Sequence, residues 1–372
     1  MEALGSKSPV LLALLSISLL HATTVARDIG VNYGTVADNL PPPAQVAQFV
    51  KTKTSINKIK IFDANPDIIQ AFANSSIPMT IMVPNEIIPN MVQLPAAQEW
   101  VKTHVTPFVP QTNITRLLVG NEILHWGPQA AIDNLVAAMR TVYQALQQAG
   151  HKNIQVSTPN PLDILDKTDY PSAGKFRPGW DKNILYPMLQ FLSETKAPFV
   201  VNTYPYFDTN AQNVDFCTFK PNQGKIDPVT KMNYQNQFDW VMDAIFSAMK
   251  ALGPFSNVEL VVGETGWPAV GEPSQTWVNV DIARYYNSKL IEHVNSGNGT
   301  PLMPGRKFET YIFALFTENL KPGPVAERNF GLFKPDFTPV YDIGIMKNAS
   351  VVQVINDSFC LFRILKKNFN KL

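Results

Sequence analysis

The sequence predicts a single-domain (β/α)8 barrel, of the TIM-barrel class, on three observations. Short apolar runs alternate with longer amphipathic segments from Asp28 to about Phe316, the pattern of repeated βα units around a parallel sheet. No glycine-rich dinucleotide turn follows these runs, which argues against a doubly wound sheet. The 372 residues, 45% hydrophobic and 16% charged, supply enough apolar material for one large core, and such barrels reach about 250 residues or more as one domain.

The strand candidates number eight: Ile29 to Tyr33, Lys58 to Phe62, Met79 to Val83, Arg116 to Asn121, Ile154 to Thr158, Phe199 to Tyr204, Val258 to Gly263 and Thr310 to Phe316. Helices lie between them. In Ala131 to Gln148, Ile132, Leu135, Val136, Met139, Val142, Tyr143 and Leu146 recur at spacings of three and four, one buried stripe, and Gly150 supplies the stop. Phe238 to Leu252 and Ile282 to Val294 read the same way. The proline-rich stretch from Pro159 to Trp180 and the Asx-rich stretch from Tyr204 to Tyr234 read as long βα loops, which on barrels build the mouth.

The ends differ from this pattern. Lys7, the apolar run from Val10 to Leu20 and the small-x-small triplet Thr24-Val25-Ala26 predict a signal peptide over 1–26 and a secreted, cell-wall protein. The catalytic domain then spans 27–347, and 348–372 form a tail too short for a carbohydrate-binding module and, broken by Arg363, unsuited to a glycolipid anchor signal. Sequons at Asn74, Asn113, Asn298, Asn348 and Asn356 fit passage through the secretory pathway. With only Cys217 and Cys360, the fold cannot rest on a disulfide framework, and whether the two pair stays open. A net charge of +1 without a basic stripe gives no footprint for nucleic acid. A neutral polymer is the natural substrate class, and a monomer is expected.

In a barrel, the C-terminal ends of the strands face the catalytic mouth. Two apolar runs end there in a glutamate: Leu117-Leu118-Val119-Gly120-Asn121-Glu122 and Leu260-Val261-Val262-Gly263-Glu264-Thr265-Gly266-Trp267-Pro268. Strict alternation puts Leu118, Gly120 and Glu122 on one face, and Leu260, Val262 and Glu264 on another, so that both glutamates project to the axis. Glycosidic cleavage needs two such carboxyl groups, one to protonate the leaving oxygen and one to attack or to activate water. A pair about 5 Å apart would leave no room for water and give retention. Mutual repulsion and different surroundings would separate their pKa values.

Other chemistries lack their motifs: the sequence has no HExxH, no His or Cys cluster at metal spacing, no GxSxG elbow and no Walker loop. No cofactor and no metal ion is expected. Tyr33, Trp126, Tyr204, Tyr206, Phe207, Trp267 and Phe316 lie at or just past strand ends, where aromatic faces could stack on pyranose rings. For Tyr33 and Phe316, filling of the barrel core is an equal alternative.

These residues together resemble the plant-type β-1,3-glucanases of glycoside hydrolase family 17. The resemblance rests on Gly30-Val31-Asn32-Tyr33-Gly34, Val119-Gly120-Asn121-Glu122, Asn202-Thr203-Tyr204-Pro205-Tyr206-Phe207, Gly263-Glu264-Thr265-Gly266-Trp267-Pro268, Phe316-Thr317-Glu318-Asn319 and Glu327-Arg328-Asn329-Phe330-Gly331-Leu332-Phe333, and spans Ile29 to Met346. It implies Glu122 as proton donor, Glu264 as nucleophile and Asn121 bonding the sugar at the cleavage point. It further implies that Tyr33, Tyr204, Phe207, Trp267 and Phe316 line the groove, with Glu309 and Glu318 as supporting carboxylates; a structural ion pair is the competing reading of those two. The implied activity is endo-hydrolysis of β-1,3-glucan. A mixed β-1,3;1,4-glucan endohydrolase and a catalytically silent wall-glycan binding protein stay open, and defence, wall remodelling and callose turnover would use the same chemistry.

Overall fold

A computed structural model describes residues 28–347. The expected signal peptide, the tail from 348, Cys360 and the sequons at Asn348 and Asn356 lie outside the described residues.

Every expected strand forms. They are β1 (Gly30–Asn32), β2 (Lys58–Lys60), β3 (Met79–Val83), β4 (Ile114–Val119), β5 (Gln155–Ser157 and Pro159–Asn160, either side of Thr158), β6 (Phe199–Asn202), β7 (Leu260–Thr265) and β8 (Glu309–Ile312). Parallel pairing runs from β1 through β4 to the first half of β5, continues from its second half through β6 and β7 to β8, and returns from β8 to β1. The sheet is thereby nearly closed into a barrel, its two ends meeting at the two halves of β5.

Around it stand α1 (Pro43–Lys53), α2 (Pro66–Ala71), α3 (Leu94–His104), α4 (Ile123–Trp126), α5 (Gln129–Gln148), α6 (Tyr186–Thr195), α7 (Val214–Cys217), α8 (Gln237–Leu252) and α9 (Val280–Ser296). In α5, Leu135, Met139, Val142 and Leu146 of the expected stripe are buried, and Ile132, Val136 and Tyr143 pack against them from the margin. Gly150 ends it in the left-handed region at φ 85°, and the His151 N–H donates back to Leu146 O at 2.9 Å. Asn236 and Asn279 cap α8 and α9, their side-chain oxygens accepting from the Asp239 and Ile282 N–H groups. Each such cap contributes about 1 kcal/mol.

Alternation along the strands sorts side chains into two cores. Ile59, Ile61, Ile81, Val83, Leu117, Val119, Val201, Leu260 and Val262 join the layer shared with the helices. Met82, Leu118, Val200, Val261 and Tyr311 meet inside the barrel. Burying each such side chain contributes about 1.5–3 kcal/mol. Gly30 makes room for the Tyr311 ring, because a Cβ there would lie 2.5 Å from Tyr311 Cδ1.

Two sequence expectations are corrected here. Val262 and Leu260 do not share a face with Glu264; Val261 is the inward residue. The register of β7 against β6 slips between Val262, opposite Val201, and Glu264, opposite Asn202, so two residues of β7 face one of β6. This bulge turns Glu264 inward against strict alternation. Glu309 is not in the mouth. It opens β8 at the N-terminal end of the barrel, where its carboxylate meets Arg116 (2.7 Å) and accepts from the Tyr311 hydroxyl (2.8 Å). It is the structural ion pair.

Candidate active site

The C-terminal ends of the strands surround a cleft of about 930 Å³. Glu122, Asn121, Tyr204, Phe207, Glu264 and Glu318 line it. The loop after β8 joins its wall because Glu318 Oε1 accepts the Val36 N–H at 2.8 Å and the Leu320 N–H donates to Val36 O at 3.1 Å. Gly34 lets that carboxylate lie close to the backbone: a Cβ there would lie 2.4 Å from Glu318 Oε1, and the carboxylate would have to shift.

Glu122 follows β4 in a left-handed conformation, φ 50° and ψ 40°. The backbone holds it there. Its N–H donates to Pro159 O (3.1 Å), while its carbonyl accepts from His125 (2.9 Å) and Trp126 (3.0 Å). A non-glycine residue kept in this region by several bonds is a strained, precisely aimed position of the kind found at functional sites. The carboxylate accepts from Asn202 Nδ2 at Oε1 (2.9 Å) and from Trp126 Nε1 at Oε2 (3.2 Å). Both donors are neutral. Burial, and next the charge of Glu264, raise its pKa above the ordinary carboxylate value, against the opposing pull of Asn202, Lys60 and Trp126.

Glu264 has different partners. Lys60 Nζ lies 2.8 Å from its Oε1 and the Tyr204 hydroxyl donates to its Oε2 at 2.9 Å. Lys60 also bonds Asn32 Oδ1 (3.1 Å) and lies over the Phe62 ring, 4.1 Å from the centroid. Burial lowers the lysine pKa, with the Glu264 charge as the main opposing effect. The Tyr204 phenol is raised well above its ordinary value by burial and by both glutamates, so it stays a donor. Its ring is fixed edge-on by Phe207, Phe313 and Phe330. Asn121 is clamped by Asn85, which accepts its N–H (2.8 Å) and donates to its carbonyl (3.1 Å).

Trp267 is a core residue and not a groove residue, and for Tyr33 and Phe316 the core alternative holds. Trp267 is fully buried between Tyr206 and Tyr286, its indole N–H bonded to Trp277 O at 3.1 Å. Tyr33 and Phe316 are buried against each other, ring centroids 6.1 Å apart. All three lie at strand ends, but they join the core shared with the helices and do not line the cleft. The sequence reading passed over Lys60, Asn202, Phe313, Phe330, Lys321 and Glu327, all placed in or beside the cleft. Asn202, Glu327 and Phe330 stood in the segments that carry the family resemblance without a role being given to them, and Lys60 left a signal of its own, a lysine between Ile59 and Ile61 in an apolar strand. Among the described residues no group of His, Cys, Asp and Glu is arranged to hold a metal ion, and no helix is long and apolar enough to cross a membrane. Asn74, Asn113 and Asn298 are exposed.

Residues 29–345 match the glycosyl hydrolases family 17. A glucan endo-1,3-beta-glucosidase of Triticum aestivum is 47% identical over 350 residues, 92% of this chain and 76% of its own length. The structure of CJP38, a beta-1,3-glucanase and allergen of Cryptomeria japonica pollen, superposes with a TM-score of 0.80 at 38% identity, covering 86% of this chain and all of that one. A structure described among two plant beta-glucan endohydrolases with distinct substrate specificities gives 0.77 at 36% identity, over 85% of this chain and all of that one.

Proposed function

The chain belongs to glycosyl hydrolases family 17, and from that premise we propose that it hydrolyses internal β-1,3-glucosidic bonds of β-1,3-glucans with retention, Glu122 acting as acid/base and Glu264 as nucleophile. The observation that carries the assignment is the asymmetry of the two cleft carboxylates. Glu264 bonds a buried lysine and a phenol, partners that favour its ionised form. Glu122 bonds only neutral donors and has its pKa raised. Glu122 is thus the carboxyl suited to carry the proton, and Glu264 the carboxylate set beside a cation.

In the first step a Glu264 oxygen attacks the anomeric carbon as the glycosidic C–O bond breaks, and Glu122 gives its proton to the departing oxygen. The Glu264 charge is then consumed in the ester. Glu122 loses the repulsion that raised its pKa, but it is now ionised and takes a proton from the water that attacks the same carbon, releasing Glu264. Lys60 and Tyr204 stabilise the carboxylate as leaving group in this second step.

Reducing-sugar release from laminarin tests the activity, and its absence would leave a wall-glycan binding protein. Barley-type mixed glucan, compared with laminarin, tests the linkage, a comparison made pertinent by the structural relative described with distinct specificities. Proton NMR of the first product tests the stereochemistry: the β-anomer is expected, and initial α-anomer would mean inversion. Glu264→Ala with azide should yield an α-glycosyl azide, and Glu122→Ala with an activated substrate a β-glycosyl azide.

Secretion to the cell wall is supported by the signal pattern at 1–26 and the exposed sequons. Intact mass of secreted protein should show the loss of 1–26 and added glycan; a chain still beginning at Met1 would refute it.

A further inference from the structure

Trp126 ends the one-turn helix α4, four residues beyond Glu122, and is 73% exposed, more than any other large apolar side chain among the described residues. It is nevertheless held in place. Its Nε1 donates to Glu122 Oε2 (3.2 Å), its backbone N–H to Glu122 O (3.0 Å), and its ring meets His125 edge-on at 4.1 Å between centroids. His125 in turn bonds the Asp163 carboxylate. A large apolar face is thus presented, already ordered, in the wall of a cleft, where binding would cost little further side-chain entropy.

The two edges of the Glu122 carboxylate give that face a side. Oε1 accepts from Asn202, which pairs with Glu264 in the sheet register, so this edge faces the nucleophile. Oε2 accepts from Trp126, on the opposite edge. An acid that protonates a glycosidic oxygen has the attacked sugar toward the nucleophile and the departing sugar away from it.

We propose that Trp126 is the stacking platform of the first leaving-group subsite, taking the apolar face of the glucosyl unit that departs when the bond is cut. The proposal rests on the glucanase reading. An aromatic ring in this position discriminates chains whose departing unit lies flat against it, and it favours capture of that unit over water when the intermediate is resolved.

Laminaripentaose and β-laminaribiosyl fluoride separate this role from a merely structural one, because fluoride fills no sugar subsite. Trp126→Ala should lose about tenfold more in kcat/KM on laminaripentaose than on the fluoride. Trp126→Phe, which keeps a stacking face but deletes the N–H, should recover most of that difference. Equal losses on the two substrates, or a phenylalanine variant no better than alanine, would overturn the platform while leaving the glucanase reading intact. No hydrolysis of laminarin by the unmutated protein would overturn both.

Discussion

The ammonium of Lys60 lies 2.8 Å from Glu264 Oε1 at the top of the barrel interior, with the two side chains 1% and 8% exposed. Removing a cation from such a pair leaves a buried charge without a partner, which costs more than the pair itself contributed. The lysine thereby holds the carboxylate of the proposed nucleophile in place and gives its charge a partner.

Lys60→Met should therefore lower kcat by about 100-fold or more, equivalent to about 3 kcal/mol of barrier. Lys60→Arg should restore part of the rate. A Lys60→Met variant within about tenfold of the unmutated kcat would show that the ammonium does not support Glu264 in the reaction.

Glu122 is held up by burial and by the charge of Glu264. Glu264→Gln removes that charge, so the apparent pKa of Glu122 should fall, as read by carbon-13 NMR titration of the labelled carboxyl. In the unmutated enzyme activity should decline as pH rises through the raised Glu122 pKa, because the proton donor is then lost. An unchanged titration in the variant would mean that the two carboxylates are not coupled.

Trp267 and Glu309 should behave as stability residues. Trp267→Ala removes a fully buried ring and should cost about 3–5 kcal/mol of folding stability. Glu309→Ala strands Arg116, whose side chain is 7% exposed, and should cost about 3 kcal/mol. Urea denaturation measures both. Affinity for laminari-oligosaccharides should be retained below the melting range in each case, and a selective loss of affinity would return either residue to the cleft.

Asp243 is a buried carboxyl that bonds the Tyr234 hydroxyl, the Thr300 hydroxyl and the Leu302 N–H. Burial raises its pKa to about 6. A carboxyl raised on folding contributes most when protonated, below its unfolded pKa, and that contribution is lost as pH rises through the folded value. The Tm advantage of the unmutated protein over Asp243→Asn should accordingly shrink between about pH 4 and 6. Growth of that advantage over the same interval would contradict the assignment.

All eight strands were legible because each is a short run bounded by turn residues, with helices of period 3.6 between them. Their ends were less so: the run expected from Thr310 to Phe316 is a strand only over Glu309–Ile312. Glu122 and Glu264 were legible because a carboxylate closing an apolar run is rare and the barrel sends that end to the mouth. Trp267 was misread because standing just past a strand end fixes a residue's height in the barrel and not its direction. Glu309 was misread by family resemblance alone, since its own place at the start of β8 puts it at the opposite end.

By itself the sequence determined the barrel, the height of each strand residue along it and the pair of carboxylates at the mouth, because these follow from local periodicity and chain order. Only the tertiary structure decided which side chains turn inward there. The bulge in β7 re-aims Glu264, the left-handed turn aims Glu122, and Lys60 reaches Glu264 from 204 positions away in the chain. Register slips and contacts of that separation are fixed by how the strands close on one another, and no local pattern encodes them.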